Sequence, residues 1–325
     1  MTGVKKPTEK HLMLFSGRAY PELANEIAEL MEVELVPTRA LTYANSEIYV
    51  RFEESVRGSD AYVIQSHAAP VNEWIMEQLI MVDALKRASA KRITVVAPFY
   101  PYARQDKKHR GREPISARLV ADLFRTAGAN RLMSVDLHAA QIQGFFDGPV
   151  DHLWALPVLA EYISNKYDTS QMTVVSPDAG RVRLADMWTD QLGSSLAIIH
   201  KRRDPNVANT VAVHEVVGDV RGKVCLLVDD MIDTAGTMCQ AAEALRARGA
   251  RAVIAAATHA VLSGPAIERL TTTAFEEVVV TNTLPIPPER RFPGLTVLSI
   301  APLIGRAIRE VFEDGSVTSL FGGQS

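Results

Sequence analysis

The segment that most constrains the architecture of this chain runs from Val224 to Thr237 and reads Val-Cys-Leu-Leu-Val-Asp-Asp-Met-Ile-Asp-Thr-Ala-Gly-Thr. Its apolar run is short and partly β-branched, which predicts a strand buried on both faces of a parallel sheet. The turn after it enters a helix that we predict from about Met238 to Arg248. Ligands bind at the carboxyl edge of such sheets, so this turn is a candidate binding loop.

The composition of the turn favours a phosphate group. Ala235 and Gly236 leave the backbone uncovered, while Thr234 and Thr237 add hydroxyl donors. The following helix directs its free N–H groups and the positive end of its dipole at the same place. A phosphate is therefore the expected ligand of this loop.

Three carboxylates, those of Asp229, Asp230 and Asp233, crowd into five positions beside the loop. They repel a phosphate, but they can accept hydrogen bonds from sugar hydroxyls or hold a hydrated cation. Acidic and threonine side chains after a strand can also simply cap the next helix. We favour the ligand interpretation, because such crowding destabilises a protein unless a ligand or cation offsets it. The segment therefore predicts a site for a sugar phosphate.

The bulk composition describes an ordinary globular protein. The chain has 325 residues, 47% hydrophobic and 22% charged, with a formal net charge of −3, so neither nucleic acid nor a membrane is an expected partner. No apolar run reaches membrane-spanning length. The only cysteines, Cys225 and Cys239, fall in the predicted strand and helix, which favours reduced packing thiols in a cytoplasmic protein.

Short apolar runs alternate with helical patterns along nearly the whole chain, which predicts an α/β fold with mostly parallel sheets. The predicted strands are 12–16, 61–66, 92–99, 131–137, 172–177, 196–199, 223–228, 252–258, 277–281 and 296–301. The predicted helices are 21–32, 73–88, 115–127, 155–166, 181–192, 237–248, 264–271 and 302–313. We expect a loose tail at 1–10, an N-terminal domain at 11–150 and a C-terminal domain at 151–325.

A basic stretch from Pro101 to Pro114 follows one of the predicted strands directly. A charge run of this kind is usually a solvated surface loop. Its position after a buried strand and its mixture of Arg and Lys suit a polyphosphate better than DNA, for which no groove-reading element is apparent.

Other chemistry-bearing side chains follow other predicted strands. Asp136 and His138 lie two apart, so on an extended strand they would share a face. Asp178 follows the strand 172–177 and is either a helix cap or a magnesium ligand. The run Lys201-Arg202-Arg203 continues the strand 196–199, where it is either an exposed strand end or a clamp for charge that develops on a transferred phosphoryl group.

Together with Ala44–Ile48 and Val71–Ser89, these motifs closely resemble those of ribose-phosphate diphosphokinases of the phosphate-activated bacterial class. The likeness runs from about His11 to Phe321. It implies two tandem phosphoribosyltransferase-like domains, each a mainly parallel sheet flanked by helices. It also implies a homo-oligomer, expected to be a hexamer, with the active site between the halves of one subunit and a loop from a neighbour.

The resemblance also implies residue roles. The ATP site matches Tyr43, Asn45, Ser46, Glu47, Arg104 and Gln105; the magnesium contacts match His138 and Asp178; the catalytic pair matches Lys201 and Arg203; and the ribose 5-phosphate site matches Arg203, Asp229, Asp230, Asp233, Thr234, Ala235, Gly236 and Thr237. Asn45 and Ser46 stand where the family's commonest pattern has an Asp-Gly pair. Asn lacks the charge, and Ser restricts the turn if φ is positive there.

The implied reaction transfers a diphosphoryl group from MgATP to the anomeric hydroxyl of ribose 5-phosphate, with phosphate and ADP as effectors. Two alternatives remain at this point. A phosphoribosyltransferase would use the same sugar-phosphate loop but would not need the first half of the chain. A catalytically silent homologue that regulates an active partner would be expected to lose catalytic groups, whereas Lys201, Arg203 and the loop are all present.

Overall fold

A computed structural model describes residues 10–202 and 213–321, which fall into two compact units. The first contains the chain up to Leu153 together with the segment that begins at Ala301, and the second contains Trp154–Ile300. The sequence-based division placed 151–325 in one domain, so the structure differs from it in the C-terminal segment. That segment returns to the first unit because its helix, Ala301–Phe312, packs against the helix Pro21–Met31.

The first unit is built on a five-stranded parallel sheet in the order β1-β4-β5-β6-β7. Its strands and helices are β1 (Leu12–Ser16), α1 (Pro21–Met31), β2 (Thr38–Thr42), β3 (Ile48–Phe52), β4 (Asp60–Ile64), α2 (Val71–Arg87), β5 (Arg92–Ala97), α3 (Ser116–Ala127), β6 (Arg131–Val135) and β7 (Val150–Leu153). Strands β2 and β3 form a separate antiparallel hairpin. The apolar faces of β1, β4 and β5 form the core with α2 and α3.

The second unit is built on a seven-stranded sheet in the order β10-β9-β8-β11-β12-β13-β14, parallel except for the pair β10 and β9. Its elements are α4 (Leu156–Lys166), β8 (Met172–Ser176), α5 (Val182–Leu192), β9 (Ser195–Arg202), β10 (Val213–Val217), β11 (Val224–Ile232), α6 (Gly236–Ala247), β12 (Ala252–Ala260), α7 (Ala266–Thr272), β13 (Glu277–Thr281) and β14 (Leu295–Leu298). The remaining helix, α8 (Ala301–Phe312), belongs to the first unit.

The strand order of the second unit reverses between β8 and β11. From β8 the chain moves to β9 on one side, and it then returns to place β11 on the other side of β8. At such a reversal the crossover connections leave in opposite directions, which opens a crevice beyond the carboxyl ends of the two strands. The fold therefore places a candidate site where the turns after β8 and β11 meet.

The predicted elements are largely confirmed. Each of the ten predicted strands and eight predicted helices coincides with an observed one, and β11 is buried along almost all of its length. The strands β2, β3, β7 and β10 were not predicted. Strands β2 and β3 form the hairpin, and β7 and β10 lie at sheet edges. Such strands are buried on one side only, so their sequences contain no continuous apolar run that would predict them. Within residues 10–202 and 213–321, no helix combines the length and apolar character needed to span a bilayer.

A buried carboxylate ties α4 to the amino ends of β13 and β14. Glu277 accepts hydrogen bonds from the hydroxyls of Tyr162 and Tyr167, each at 2.6 Å, from the Lys166 ammonium at 2.9 Å and from the Thr296 hydroxyl. Burial raises the pKa of Glu277, but these donors outweigh it and lower the pKa to about 2. The folded pKa lies below the ordinary value of 4.5, so the ionised form stabilises the protein at neutral pH.

We expect Glu277→Gln to lower the free energy of unfolding at pH 7 by about 2 kcal/mol, because the amide presents an N–H group to donors that need an acceptor. The deficit should shrink as the pH falls from 4.5 through about 2, where the wild-type carboxylate itself becomes protonated. Urea unfolding at several pH values measures both effects. The exposed neighbour Glu276, changed to Gln, is the matched control and should have little effect.

Candidate active site

The carboxylates that follow the apolar run lie inside β11, which continues to Ile232. Pairing with β8 stops at Leu227, whereas pairing with β12 continues through Met231 and Ile232. Asp229 and Asp230 therefore lie where β11 has separated from β8, at the strand reversal. The sequence predicted this location at the carboxyl edge, and the structure confirms it.

Both carboxylates pair with one arginine from the turn after β8. The Nε of Arg181 lies 2.8 Å from Oδ1 of Asp229, and its Nη2 lies 2.7 Å from Oδ1 of Asp230. Burial and the adjacent Asp230 raise the pKa of the Asp229 carboxyl well above its usual range, and Arg181 opposes that rise. Arg181 thus offsets the repulsion between two adjacent acidic groups.

The turn between β11 and α6 has the features expected of an anion cradle. Thr234 and Thr237 are exposed, and no side chain caps the amino end of α6. The N–H groups of the first helical turn have no partner inside the helix, so they are available to an anion. Asp233 accepts a hydrogen bond from the Ser263 hydroxyl, which fixes the start of the turn.

Arg269 of α7 supports the turn from its other side. Its Nη1 donates to the carbonyl of Thr234 at 2.9 Å. The same atom lies 3.2 Å from the place that a Cβ on Gly236 would occupy. A side chain at that position would therefore press on the arginine, so glycine keeps this part of the cradle open.

Ala235 adopts a left-handed backbone conformation, with φ of 60° and ψ of 1°. We expect Ala235→Gly to raise the free energy of unfolding by about 0.5–1 kcal/mol, since glycine removes a penalty of about 1–2 kcal/mol and returns part of it as unfolded-state entropy. Thermal unfolding measures the change. Ala244→Gly in the middle of α6 is the control, and it should act in the opposite direction by about 1 kcal/mol.

Asp178 lies in the exposed turn after β8. Its Oδ1 accepts the N–H of Gly180 at 2.7 Å, and its carbonyl accepts the hydroxyl of Ser176 at 2.7 Å. The capping interpretation of Asp178 is thus observed, although the cap is on a short turn before α5. Its place at the carboxyl edge also leaves the carboxylate accessible to a ligand.

Of the two predicted catalytic residues, the structure describes the main chain of Lys201 but not Arg203. The main chain of Lys201 lies in β9, opposite His214 of β10. Arg203 lies outside the described residues. The catalytic roles of both remain predictions.

The predicted adenine loop is the tip of the β2–β3 hairpin. Asn45 Oδ1 accepts the N–H of Glu47 at 3.2 Å, and Tyr43 is half exposed. Ser46 has a φ of 72°, so the backbone adopts the conformation in which serine is less favourable than glycine. The asparagine amide supports the turn, and the serine strains it.

Arg104 and Gln105 lie in the loop after β5, and both are exposed. The Gln105 side chain accepts the Ser116 hydroxyl at 2.7 Å, which fixes it to the start of α3. In the same loop the buried Asp106 accepts a hydrogen bond from Gln141. The basic loop is therefore tied at its base, while the two predicted ATP contacts are accessible.

Asp136 and His138 lie beyond the end of β6 at Val135. Asp136 is buried with a φ of 38°, so the chain is no longer extended there. The prediction that the two side chains share a strand face was therefore wrong in its premise. His138 is partly exposed in the loop after β6.

The structure places the predicted metal contacts in different units, His138 in the first and Asp178 in the second. Among the described residues, no group of three or more His, Cys, Asp or Glu side chains is arranged to hold a metal ion. Mg²⁺ usually takes one or two carboxylates with substrate phosphates and water. An exposed carboxylate such as Asp178 fits that mode of binding.

Similar proteins identify the family to which the chain belongs. The family model for the N-terminal domain of ribose phosphate pyrophosphokinase matches residues 12–128, and that for a phosphoribosyl synthetase-associated domain matches residues 205–322. The ribose-phosphate pyrophosphokinase of Streptomyces coelicolor is 67% identical over the full length of both chains. The chain belongs to the ribose-phosphate pyrophosphokinase family. The one from Mycobacterium tuberculosis strain H37Rv is 62% identical over 97% of each chain.

A solved structure supports the fold of this pyrophosphokinase family member. The crystal structure of phosphoribosylpyrophosphate synthetase from Mycobacterium smegmatis is 62% identical, with a TM-score of 0.90. The match covers 94% of this chain and 100% of that chain. The prediction of an α/β fold with two phosphoribosyltransferase-like domains is confirmed.

Three residues of the candidate site were not predicted from the sequence, namely Arg181, Ser263 and Arg269. The sequence predicted Arg181 only as the first residue of the helix 181–192. No local signal marks the other two, because their partners are distant in the sequence.

Proposed function

We propose that this chain transfers the diphosphoryl group of MgATP to the anomeric hydroxyl of ribose 5-phosphate, giving 5-phosphoribosyl 1-diphosphate and AMP. The observation that carries the proposal is the arrangement at the carboxyl end of β11. Two adjacent carboxylates lie near the end of β11, which is followed by a hydroxyl-bearing turn at the amino end of a helix. That order of groups suits a sugar at one end and its phosphate at the other.

In this assignment, the turn from Thr234 to Thr237 binds the phosphate through its main-chain N–H groups and threonine hydroxyls. Asp229 and Asp230 accept hydrogen bonds from the ribose hydroxyls. Asp233 holds the turn through Ser263. These contacts fix the acceptor, and fixing a reactant is a major part of catalysis in phosphoryl transfer.

ATP is assigned to the first unit. The hairpin tip binds the adenine base through Tyr43, Asn45, Ser46 and Glu47. Arg104 and Gln105 bind another part of the ATP molecule. The exposure of the aromatic ring of Tyr43 and of the Arg104 loop supports this assignment. Asn45 and Ser46 replace the family's common Asp-Gly pair at the hairpin tip, and Ser46 has a positive φ. The tip is therefore the part of the proposed nucleotide site in which this chain departs from the common pattern.

Charge neutralisation is assigned to Lys201 and Arg203, which meet the charge that grows on the transferred group and on the departing AMP. Arg203 also contributes to the ribose 5-phosphate site. His138 and Asp178 are the residues assigned to Mg²⁺. When bound, that ion supplies charge neutralisation for the phosphate oxygens of ATP.

The proposal extends to the assembly and its setting. We propose a homo-oligomer, expected to be a hexamer, that responds to phosphate and ADP. We assign it to the cytoplasm because Cys225 and Cys239 are buried and unpaired, which suits a reducing compartment. Burial raises the pKa of the Cys225 thiol to about 12, so it is a packing group and not a reactive one.

The deciding experiment supplies ATP, Mg²⁺ and ribose 5-phosphate to the purified protein and follows AMP by chromatography, with and without inorganic phosphate. AMP release that requires the sugar phosphate is the expected result. Consumption of phosphoribosyl diphosphate with a nucleobase, and no AMP from ATP, would instead identify a phosphoribosyltransferase. A silent regulatory homologue would show neither reaction. Light scattering after size-exclusion chromatography measures the oligomer.

A further inference from the structure

Arg181 occupies a position that none of the assigned roles explains. It is the last residue of the short turn after β8, and α5 begins at the next residue. One edge of its guanidinium, formed by Nε and Nη2, spans two different carboxylates at 2.8 and 2.7 Å. The usual bidentate pair joins both nitrogens to one carboxylate. The two nitrogens of Arg181 therefore fix the positions of two different carboxylates relative to each other.

All three side chains are largely removed from water. The exposed fraction is 20% for Arg181, 15% for Asp229 and 7% for Asp230. Adjacent carboxylates repel strongly in such surroundings, and removing a compensating charge leaves that repulsion in place. The triad is consequently more than a surface ion pair, which would contribute little.

Arg181 also links the two turns at the strand reversal. Its main-chain N–H donates to the carbonyl of Asp178 at 3.3 Å, while its side chain reaches the end of β11. The Asp178 side chain in turn caps Gly180. Arg181 therefore connects the turn that bears Asp178, a proposed magnesium ligand, with the strand that bears the proposed ribose carboxylates.

We propose that Arg181 is a positioning residue for the ribose: it neutralises the pair Asp229 and Asp230 and holds both on one guanidinium edge, so that they receive the sugar hydroxyls as a rigid unit. This inference rests on the proposed function, because it takes ribose 5-phosphate as the ligand of β11. Arg181 acts through the two carboxylates and does not itself touch the reacting atoms. Its loss should consequently affect the sugar substrate more than ATP.

The main experiment compares Arg181→Met and Arg181→Lys with the unaltered protein in steady-state assays of AMP release. Arg181→Met should raise KM for ribose 5-phosphate roughly 10- to 100-fold, the range expected for loss of a hydrogen bond to a charged group, with KM for ATP changed less than about 3-fold. Arg181→Lys keeps the charge but not the fork, so its KM for ribose 5-phosphate should rise about 3- to 10-fold.

Two further variants separate positioning from general damage. Arg251→Met removes the same charge at the amino end of β12, the opposite edge of the sheet, and it should leave both KM values unchanged. In an Asp230→Asn background only Asp229 remains charged, so adding Arg181→Met should cost less than about 3-fold more. Additive effects of the two changes would contradict the proposal.

The outcomes distinguish this inference from the proposed function. Calorimetric titration with ribose 5-phosphate alone measures binding without any reaction. If the unaltered protein binds the sugar phosphate but releases no AMP, the proposed function fails, and the loss of binding in Arg181→Met still supports the positioning role. An unchanged or tighter affinity in that variant overturns the role. If Arg181→Met does not fold, an unchanged affinity in Arg181→Lys overturns it equally.

Discussion

Replacing Lys201 by alanine is expected to lower kcat on the order of 10²- to 10³-fold, the loss measured for other single groups that stabilise developing charge. KM for ribose 5-phosphate should stay within about 3-fold, because the proposed role concerns charge that appears only in the transition state. Lys201 lies in β9, the neighbour of β8 at the strand reversal. Steady-state kinetics with varied ribose 5-phosphate separates the two parameters.

The matched control for that change is Lys91→Ala, which removes the same charge from an exposed position just before β5. It should leave kcat unaffected. If Lys201→Ala kept full turnover, the catalytic assignment would be wrong. If it instead raised KM for ribose 5-phosphate with kcat unchanged, Lys201 would be a substrate-binding residue.

Placing a carboxylate in the turn to which we assign the phosphate should have an effect of similar size. We expect Thr237→Glu to raise KM for ribose 5-phosphate on the order of 100-fold, because two like charges about 4 Å apart near a protein surface repel by a few kcal/mol. Thr237 is exposed in the first turn of α6, so the longer side chain fits without disturbing the core. KM for ATP should change little, because ATP is assigned to the first unit.

Thr237→Gln is the control for size, since it has nearly the same shape without the charge. It removes the threonine hydroxyl, and we expect a rise of only about 10-fold, the value of one hydrogen bond to a charged group. Equal effects of Glu and Gln would show that the turn does not hold the phosphate. High salt should narrow the difference between the two variants, because part of the repulsion is screened.

The local structure around β11 followed from the sequence alone. A continuous apolar run specifies a strand buried on both faces, and the small residues after it specify a tight turn into α6. These signals are local, because burial pattern and helix-end hydrogen bonding depend on residues within one or two turns. The same reasoning located the turn that we propose as the sugar-phosphate site and the acidic pair beside it.

The family resemblance supplied what local patterns do not, namely the roles assigned to Lys201, Arg104 and His138. It also identified the hairpin tip as the place where this chain departs from the common pattern. Ser46 has a positive φ, which is the backbone conformation in which a serine restricts that turn. The edge strands β7 and β10 were not predicted from the sequence. Half of the side chains of such a strand face away from the core, so its sequence lacks a continuous apolar run.

The amino-acid sequence by itself determined the alternation of strands and helices, the buried strand β11 and the tight turn into α6 to which we assign a phosphate. Only the tertiary structure decided that the strand order reverses between β8 and β11, that Arg181 pairs with Asp229 and Asp230, and that α8 returns to the first unit. The physical reason is the distance along the sequence over which each property is decided. Backbone conformation and burial periodicity are set by near neighbours, whereas the partner of a charged side chain depends on which strands the whole chain brings side by side.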